Sequence, residues 1–140
     1  MTELNVHALS IHTPYVDEIR AGRKRFELRK YSTGIEPGGW VMVYETLPTG
    51  SVSTVFQAGE TIVEEPEEFW TWFQNDLGIE REPYFAYLAG KQFVHAIEIR
   101  KVRTFEPISL SELREEYRFH PPQGCTKLRT IHPRVLESIT

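Results

Sequence analysis

Polar and apolar positions alternate in several short stretches of this chain, and elsewhere apolar residues recur with helical spacing. Alternation in runs rich in β-branched and aromatic residues is typical of strands, whereas spacings of three and four between proline and glycine favour helices. The predicted strands are 6–11, 25–30, 40–45, 52–57 and 93–102. The predicted helices are 14–21, 66–76, 83–88, 110–117 and 133–139. Several strands with small helices between them predict a single α+β domain over residues 1–140, built round a compact, partly closed β-barrel.

Two helix starts are marked by local chemistry. Thr13 can cap the first helix, with Pro14 in the first helical position, and Gly22 provides the stop. Ser109 lies three residues before Glu112, which is the spacing of a capping box. These signals predict that the first helix ends directly before a basic strand.

The strand over 25–30 has two chemically different sides. Because side chains alternate along a strand, Phe26 and Leu28 should face the core while Glu27 and Arg29 project together from the other face. Instead of binding a ligand, these two residues could form an exposed ion pair with each other. Such a pair stabilises the folded state by only about 0–1 kcal/mol.

Charge is unevenly distributed along the sequence. The chain has a net charge of −4, which alone argues against a partner with a phosphate backbone. However, residues 20–30 carry a net charge of +5, and residues 118–134 contain four cations and no acid. Residues 60–82 carry a net charge of −7. If the two basic segments meet, one face can attract phosphate while another repels it.

Several classes of protein are not indicated. The single cysteine, Cys125, cannot form an internal disulfide, and the start of the chain lacks the apolar stretch of a secretory leader, so we expect a cytoplasmic protein. No apolar run is long enough to span a membrane. The five histidines show no metal-ligand spacing, and no glycine-rich phosphate loop is present, so we expect neither a metal nor a cofactor.

The order of several motifs resembles that of ASCH domains, which belong to the PUA-like superfamily. The first part of the resemblance is the run from Ala21-Gly22-Arg23-Lys24 to Phe26-Glu27-Leu28-Arg29-Lys30. The later parts are Val43-Tyr44-Glu45-Thr46, the aromatic residues before Gly90, Val94 to Ile99, Phe105 to Leu113, and Pro121-Pro122-Gln123. The resemblance covers nearly the whole chain.

This resemblance implies a small PUA-like β-barrel with a cleft that binds RNA or nucleotides. Some ASCH proteins are amidohydrolases that act on acetylated cytidine, and ribonuclease activity also occurs in the family. The amidohydrolase pattern has a lysine followed three residues later by a threonine. Lys24 matches the lysine, whereas Glu27 occupies the threonine position in this chain.

The candidate site follows from these residues taken together. Lys24 offers a mobile ammonium group with three donors, and Arg29 offers a fork that fits a phosphate. The expected ligand-binding residues are Ser10, Arg23, Lys24, Arg29, Lys30, Tyr44 and Gln123. If the domain is an enzyme, Lys24 and Glu27 are the expected catalytic pair, acting as charge stabiliser and base.

Two of these residues, Tyr44 and Ser10, each have a second interpretation. Tyr44 is either a core ring or a platform on which a base stacks. Ser10 either lines the site or bonds to backbone. Gln123, after two prolines, can present a rigid amide to a base edge.

We therefore expect a binding domain with a basic cleft for RNA or a nucleotide, and DNA is a further candidate ligand. The expected processes are RNA metabolism or transcription regulation. A hydrolase of RNA or of a modified nucleoside in the same cleft is the first alternative. A protein-interaction adaptor is the second. The sequence does not indicate the oligomeric state.

Overall fold

A computed structural model describes residues 4–140. Met1 to Glu3, which belong to the segment where the sequence predicts no secretory leader, lie outside the described residues. The strands are β1 (Val6–Ile11), β2 (Phe26–Arg29), β3 (Trp40–Glu45), β4 (Ser51–Glu64), β5 (Val94–Ser109) and β6 (Cys125–Lys127). The helices are α1 (Thr13–Arg20), α2 (Pro66–Phe73), α3 (Arg81–Tyr87), α4 (Leu110–Tyr117) and α5 (Pro133–Ile139), and a 3-10 turn at Gln74–Asp76 follows α2.

All six strands form one mixed sheet in the order β2-β5-β4-β3-β1-β6. Among the strands of residues 4–140, β1 and β3 pair in parallel and all other neighbours are antiparallel. The two longest strands, β4 and β5, shift register at several points along their pairing. Such irregularities bend and twist a sheet, and here the sheet curls into a half-barrel. The expected α+β fold with a partly closed barrel is confirmed.

Helices cover the curled sheet on both sides, and each side has its own apolar core. One core contains Met42 and Tyr44 of β3 and is closed by Leu113 of α4 and Val135 of α5. The opposite face packs against α1, through Val16 and Ile19. A third cluster lies under α2 and α3 and takes Phe26 and Leu28 from β2. The predicted apolar side of β2 is therefore correct.

The structure differs from the predicted elements where local sequence carried little signal. Strands β4 and β5 run several residues beyond their predicted ends, because pairing with each other extends them through stretches without alternation. The short strand β6 was not predicted, and it exists because Cys125–Lys127 pairs with β1. Thr13 is the first helical residue rather than the cap, and its hydroxyl donates to the carboxylate of Glu45. No helix among residues 4–140 is long and apolar enough to cross a membrane.

Candidate functional site

A cleft of about 330 Å³ opens where the end of β1, the start of α1, strand β2 and helix α3 meet. Its floor is polar and its walls are mostly apolar. The charged side chains of the lining belong to Lys24, Glu27 and Arg29, and all three are predicted site residues, as are Ser10 and Gln123. The remaining lining residues are Ser10, Ile11, His12, Tyr15, Leu28, Ile79, Pro83, Tyr87 and Gln123.

Two glycines place Lys24 at the floor. Gly22, with φ +80°, allows the chain to reverse after α1, and two residues later Lys24 forms a β-bridge with Leu77. Gly78 packs against this corner so closely that an added Cβ would lie 2.9 Å from the Cβ of Lys24. Since φ at Gly78 is also positive, any other residue there would be strained and would push the loop off Lys24. The loop that contains Leu77 and Gly78 therefore packs directly against Lys24.

Lys24, Glu27 and Arg29 form one buried ion network, which we call the floor triad. One carboxylate oxygen of Glu27 lies 3.7 Å from the Lys24 ammonium, and the other accepts a 3.0 Å hydrogen bond from Arg29. The Lys24 and Glu27 side chains are only 4% and 6% exposed. The ammonium also donates to the carbonyl of Leu77 at 3.3 Å. Two cations thus share a single carboxylate at the base of an open cleft.

Burial changes the proton affinity of Lys24. Loss of hydration disfavours the ammonium and lowers the pKa of Lys24, while the attraction of Glu27 partly opposes this effect and the nearby charge of Arg29 adds to it. An amine in this state gains from any additional anion or acceptor brought into the cleft. The same shift brings the pKa of Lys24 closer to neutral pH, where general acid–base catalysis is most effective.

The loop over 122–124 forms one rim of the cleft and is fixed from two sides. The Ser10 hydroxyl donates to the Pro122 carbonyl at 2.7 Å, and Arg29 donates to the Gly124 carbonyl at 3.3 Å. Gln123 lies between these anchors and lines the cleft. The Ser10 hydroxyl therefore bonds to backbone, which is the second of its two predicted roles. This bond positions the loop that presents Gln123.

Two tyrosines that were not among the predicted site residues form walls of the cleft. Tyr15 of α1 lies beneath the Lys24 ammonium, 5.7 Å from its ring centroid. Tyr87 of α3 donates its hydroxyl to the Leu28 carbonyl at 3.2 Å, and burial raises the pKa of this phenol. Helical spacing alone indicates only that such rings face the protein, so their place in the cleft required the packing of α1 and α3 against β2.

The stacking role expected for Tyr44 is wrong. Its side chain is only 3% exposed, and its ring packs in the core beneath α4 and α5, with the centroid of Phe119 at 6.0 Å. Because β3 is covered on both faces, alternation along the strand could not reveal whether this tyrosine reaches the cleft.

The other predicted cations lie outside the cleft. Arg23 is not among the residues that line the cleft; it pairs with Glu18 of α1, and its side chain is 66% exposed. Lys30 lies next to the cleft, with its ammonium 4.7 Å from the ring centroid of Tyr87. The two basic segments meet at the 122–124 loop, where Arg29 donates to the Gly124 carbonyl. Three cations of the second segment line a separate groove: Arg118, Lys127 and Arg129.

Within residues 4–140 there is no cluster of three or more histidine, cysteine or acidic side chains placed to hold a metal ion.

Comparison with known proteins adds a family and a fold. The family model described as ASCH domain matches residues 9–134. The crystal structure of ASCH from Zymomonas mobilis superposes with a TM-score of 0.84 at 23% identity, covering 89% of this chain and 88% of that one. A serine-to-alanine variant of ZmASCH gives 0.85 at 22% identity, covering 93% and 92%. No curated protein matches the chain at a significant level.

A more distant structural neighbour is the N-terminal domain of Staphylothermus marinus McrB. It superposes with a TM-score of 0.57 at 10% identity, and the match covers 99% of this chain and 97% of that one. At these identities the structural likenesses show a shared fold, and the PUA-like fold expected from the sequence is confirmed.

Proposed function

Because the chain belongs to the ASCH domain family, we propose that it binds single-stranded RNA, or a nucleotide of RNA, in the cleft above the floor triad. The ligand's phosphate or base oxygens contact Lys24 and Arg29, and Gln123 reads a base edge or a ribose hydroxyl from the rim.

The observation that carries this proposal is the charge imbalance of the floor triad. Lys24 and Arg29 share one carboxylate, Glu27, and no other acid among residues 4–140 lines the cleft. The cleft therefore holds a formal charge of +1 on a chain whose net charge is −4. A buried surplus charge is costly unless an opposite charge or an acceptor compensates for it, and a phosphate entering through the open side does so.

The shape of the cleft supports a nucleotide over a simple anion. Its volume of about 330 Å³ is at the lower end of the range of small-molecule sites. Apolar walls that include Tyr15 and Tyr87 offer faces to a flat base, and stacking on aromatic rings is typical of RNA recognition in single strands. Charge on the floor and rings on the walls together favour a ligand that has both phosphate and base.

The experiment that tests the proposal measures affinity for a short single-stranded RNA at about 50 mM salt, where phosphate contacts are strong. We expect Lys24→Met and Arg29→Gln each to weaken binding about 10- to 100-fold, the loss of one charge-assisted hydrogen bond. Lys101→Gln, on an exposed lysine of β5 that neither lines the cleft nor belongs to the floor triad, is the matched control and should bind like the parent. DNA of the same sequence measures the contribution of the ribose hydroxyl.

The salt dependence gives a second measure of the same contacts. For single strands, the logarithm of affinity falls with the logarithm of salt concentration by about 0.7 per phosphate contacted. If Lys24 contacts a phosphate, Lys24→Met should reduce the slope by about 0.7. Equal affinities and equal slopes for Lys24→Met and the Lys101 control would contradict the proposal.

One observation favours a second function in the same cleft. The buried Lys24 ammonium, with its lowered pKa, lies 3.7 Å from the Glu27 carboxylate. Such a pair is suited to hydrolysis without a metal, in which Glu27 removes a proton from water and Lys24 stabilises the developing negative charge. The candidate substrates are RNA phosphodiesters and modified nucleosides.

The two functions separate in one assay. The protein is incubated with RNA and with acetylated cytidine, and products are followed by chromatography while binding is measured in parallel. A hydrolase forms product, and Glu27→Gln stops turnover while the substrate still binds. A binding domain leaves both substrates intact.

A further inference from the structure

A second cavity adjoins the cleft and shares part of its lining. This outer chamber has a volume of about 390 Å³, and Arg29, Tyr87 and Gln123 line both spaces. Lys30 and Tyr31, which follow Arg29 directly in the chain, line only the outer chamber. The two spaces therefore form one continuous depression, with Arg29 at the boundary between them.

The outer chamber is basic, and of the cations around it Arg29 is paired with Glu27 of the floor triad. No carboxylate is among its lining residues. Neither Lys30 nor the adjacent Lys91 forms a salt bridge with any carboxylate of residues 4–140. Together with Arg29, these side chains place three cations around a small space that opens from the cleft. This arrangement fits a phosphate group on a strand that leaves the cleft.

An exposed aromatic ring lies among these cations. Tyr31 is 66% exposed, although an aromatic side chain of this size is usually better covered. Lys91 fixes the ring, since its ammonium donates to the Tyr31 hydroxyl at 2.6 Å and lies 4.5 Å from the ring centroid. This contact also lowers the pKa of the phenol. A ring fixed in this way loses little further freedom when a base stacks on it.

From this continuity we infer that the cleft takes a strand of at least two nucleotides rather than a free nucleotide. One nucleotide occupies the cleft, the next base stacks on Tyr31 in the outer chamber, and the phosphate between them lies at Arg29 and Lys30. The inference rests on the proposed function, because it assigns the length and course of the ligand that the floor triad holds. Sequence-tolerant single-strand grooves combine these same two elements, cations for the backbone and rings for successive bases.

The test compares the affinities of a uridine mononucleotide, dinucleotide and trinucleotide at one salt concentration, followed by NMR titration of the full chain. Stacking on one aromatic ring strengthens binding by about 5- to 150-fold per base. We expect the step from mononucleotide to dinucleotide to give a gain in that range, and the step to trinucleotide to give little more.

Variants of the platform locate the effect. Tyr31→Ala should remove the gain on the dinucleotide and leave mononucleotide affinity unchanged, while Tyr31→Phe should retain most of the gain. Lys91→Gln releases the ring and should remove part of it. Trp72→Ala is the matched control, since Trp72 is 77% exposed on α2, outside both spaces, and it should bind like the parent.

The outcomes distinguish this inference from the proposed function. Equal affinity for mononucleotide and dinucleotide, or an equal loss for both in Tyr31→Ala, overturns the strand assignment and leaves the proposed function in place. Absence of binding to all three ligands overturns both.

Discussion

Replacing Glu27 with glutamine tests whether the floor triad is a coupled, buried network. The substitution keeps the size of the side chain and removes only the negative charge. It leaves the Lys24 ammonium and the Arg29 guanidinium facing a neutral amide in a site where the Glu27 side chain is 6% exposed. Two cations then remain close together without the carboxylate that they share.

The distances set the magnitude. At an effective dielectric constant of about 20, each contact of Glu27 has an attraction of about 5 kcal/mol, which desolvation largely offsets. Removing one partner of a buried ion pair destabilises by about 3–5 kcal/mol, because an uncompensated charge remains. We therefore expect Glu27→Gln to lower the free energy of unfolding by that amount.

Lys24→Met should behave differently. Glu27 keeps its 3.0 Å partner Arg29 in this variant, and the lowered pKa of Lys24 means that the site, taken as a whole, disfavours the ammonium. The methionine fills the same space without a charge. We expect the free energy of unfolding to lie within about 1 kcal/mol of the parent.

Urea unfolding followed by tryptophan fluorescence measures both values. With a slope of about 1–3 kcal/mol per molar urea, the Glu27→Gln midpoint should fall by roughly 2 M. The double variant Lys24→Met with Glu27→Gln removes one of the two cations that Glu27→Gln leaves without a carboxylate partner. It should therefore be more stable than Glu27→Gln alone. A loss below about 1 kcal/mol for Glu27→Gln, or strictly additive effects in the double variant, would refute the reasoning.

Three further predictions concern other parts of the site. Since burial lowers the pKa of Lys24, the unfolded state binds the Lys24 proton more tightly than the folded state does. The loss of stability caused by burying the ammonium is therefore complete below the folded pKa and disappears as pH rises past about 10.4. The free energy of unfolding of Lys24→Met relative to the parent, measured by urea unfolding at several pH values, should therefore fall towards high pH as the parent gains stability; a constant difference contradicts this. Ser10→Ala loses the bond to Pro122, which should lower the free energy of unfolding by about 1 kcal/mol and reduce the heteronuclear NOE of Gln123; an unchanged NOE means that the hydroxyl does not hold the loop. Tyr44→Phe alters a ring inside the core, so RNA affinity should be unchanged in a binding titration, and a tenfold loss would show that the hydroxyl reaches the ligand.

The sequence predicted those parts of the fold that depend on local pattern. The bounds of β1, β3 and α5 follow directly from apolar runs and from a proline start. Alternation in β2 correctly divided Phe26 and Leu28 from Glu27 and Arg29. The full lengths of β4 and β5 depend on their mutual pairing, which no local pattern records.

The candidate site was predictable in its charges and not in its aromatic walls. Lys24, Glu27 and Arg29 are close in sequence on a helix-to-strand corner, so their proximity follows from local geometry. Tyr87 enters the cleft only because α3 packs across β2, a contact between segments far apart in the chain. Trp72 shows the converse, because a position three residues after the buried Phe69 on α2 is typical of a core face, whereas the Trp72 side chain is 77% exposed.

The most direct test of the account is an NMR titration of the Lys24 side chain, free and with a short single-stranded RNA, through its Cε and Nζ chemical shifts. We predict an apparent pKa below the usual value in the free protein and a higher one in the complex, because an anion or acceptor in the cleft stabilises the ammonium. A bound complex in which the Lys24 shifts and their pH dependence stay unchanged would contradict the claim that the floor triad holds the ligand.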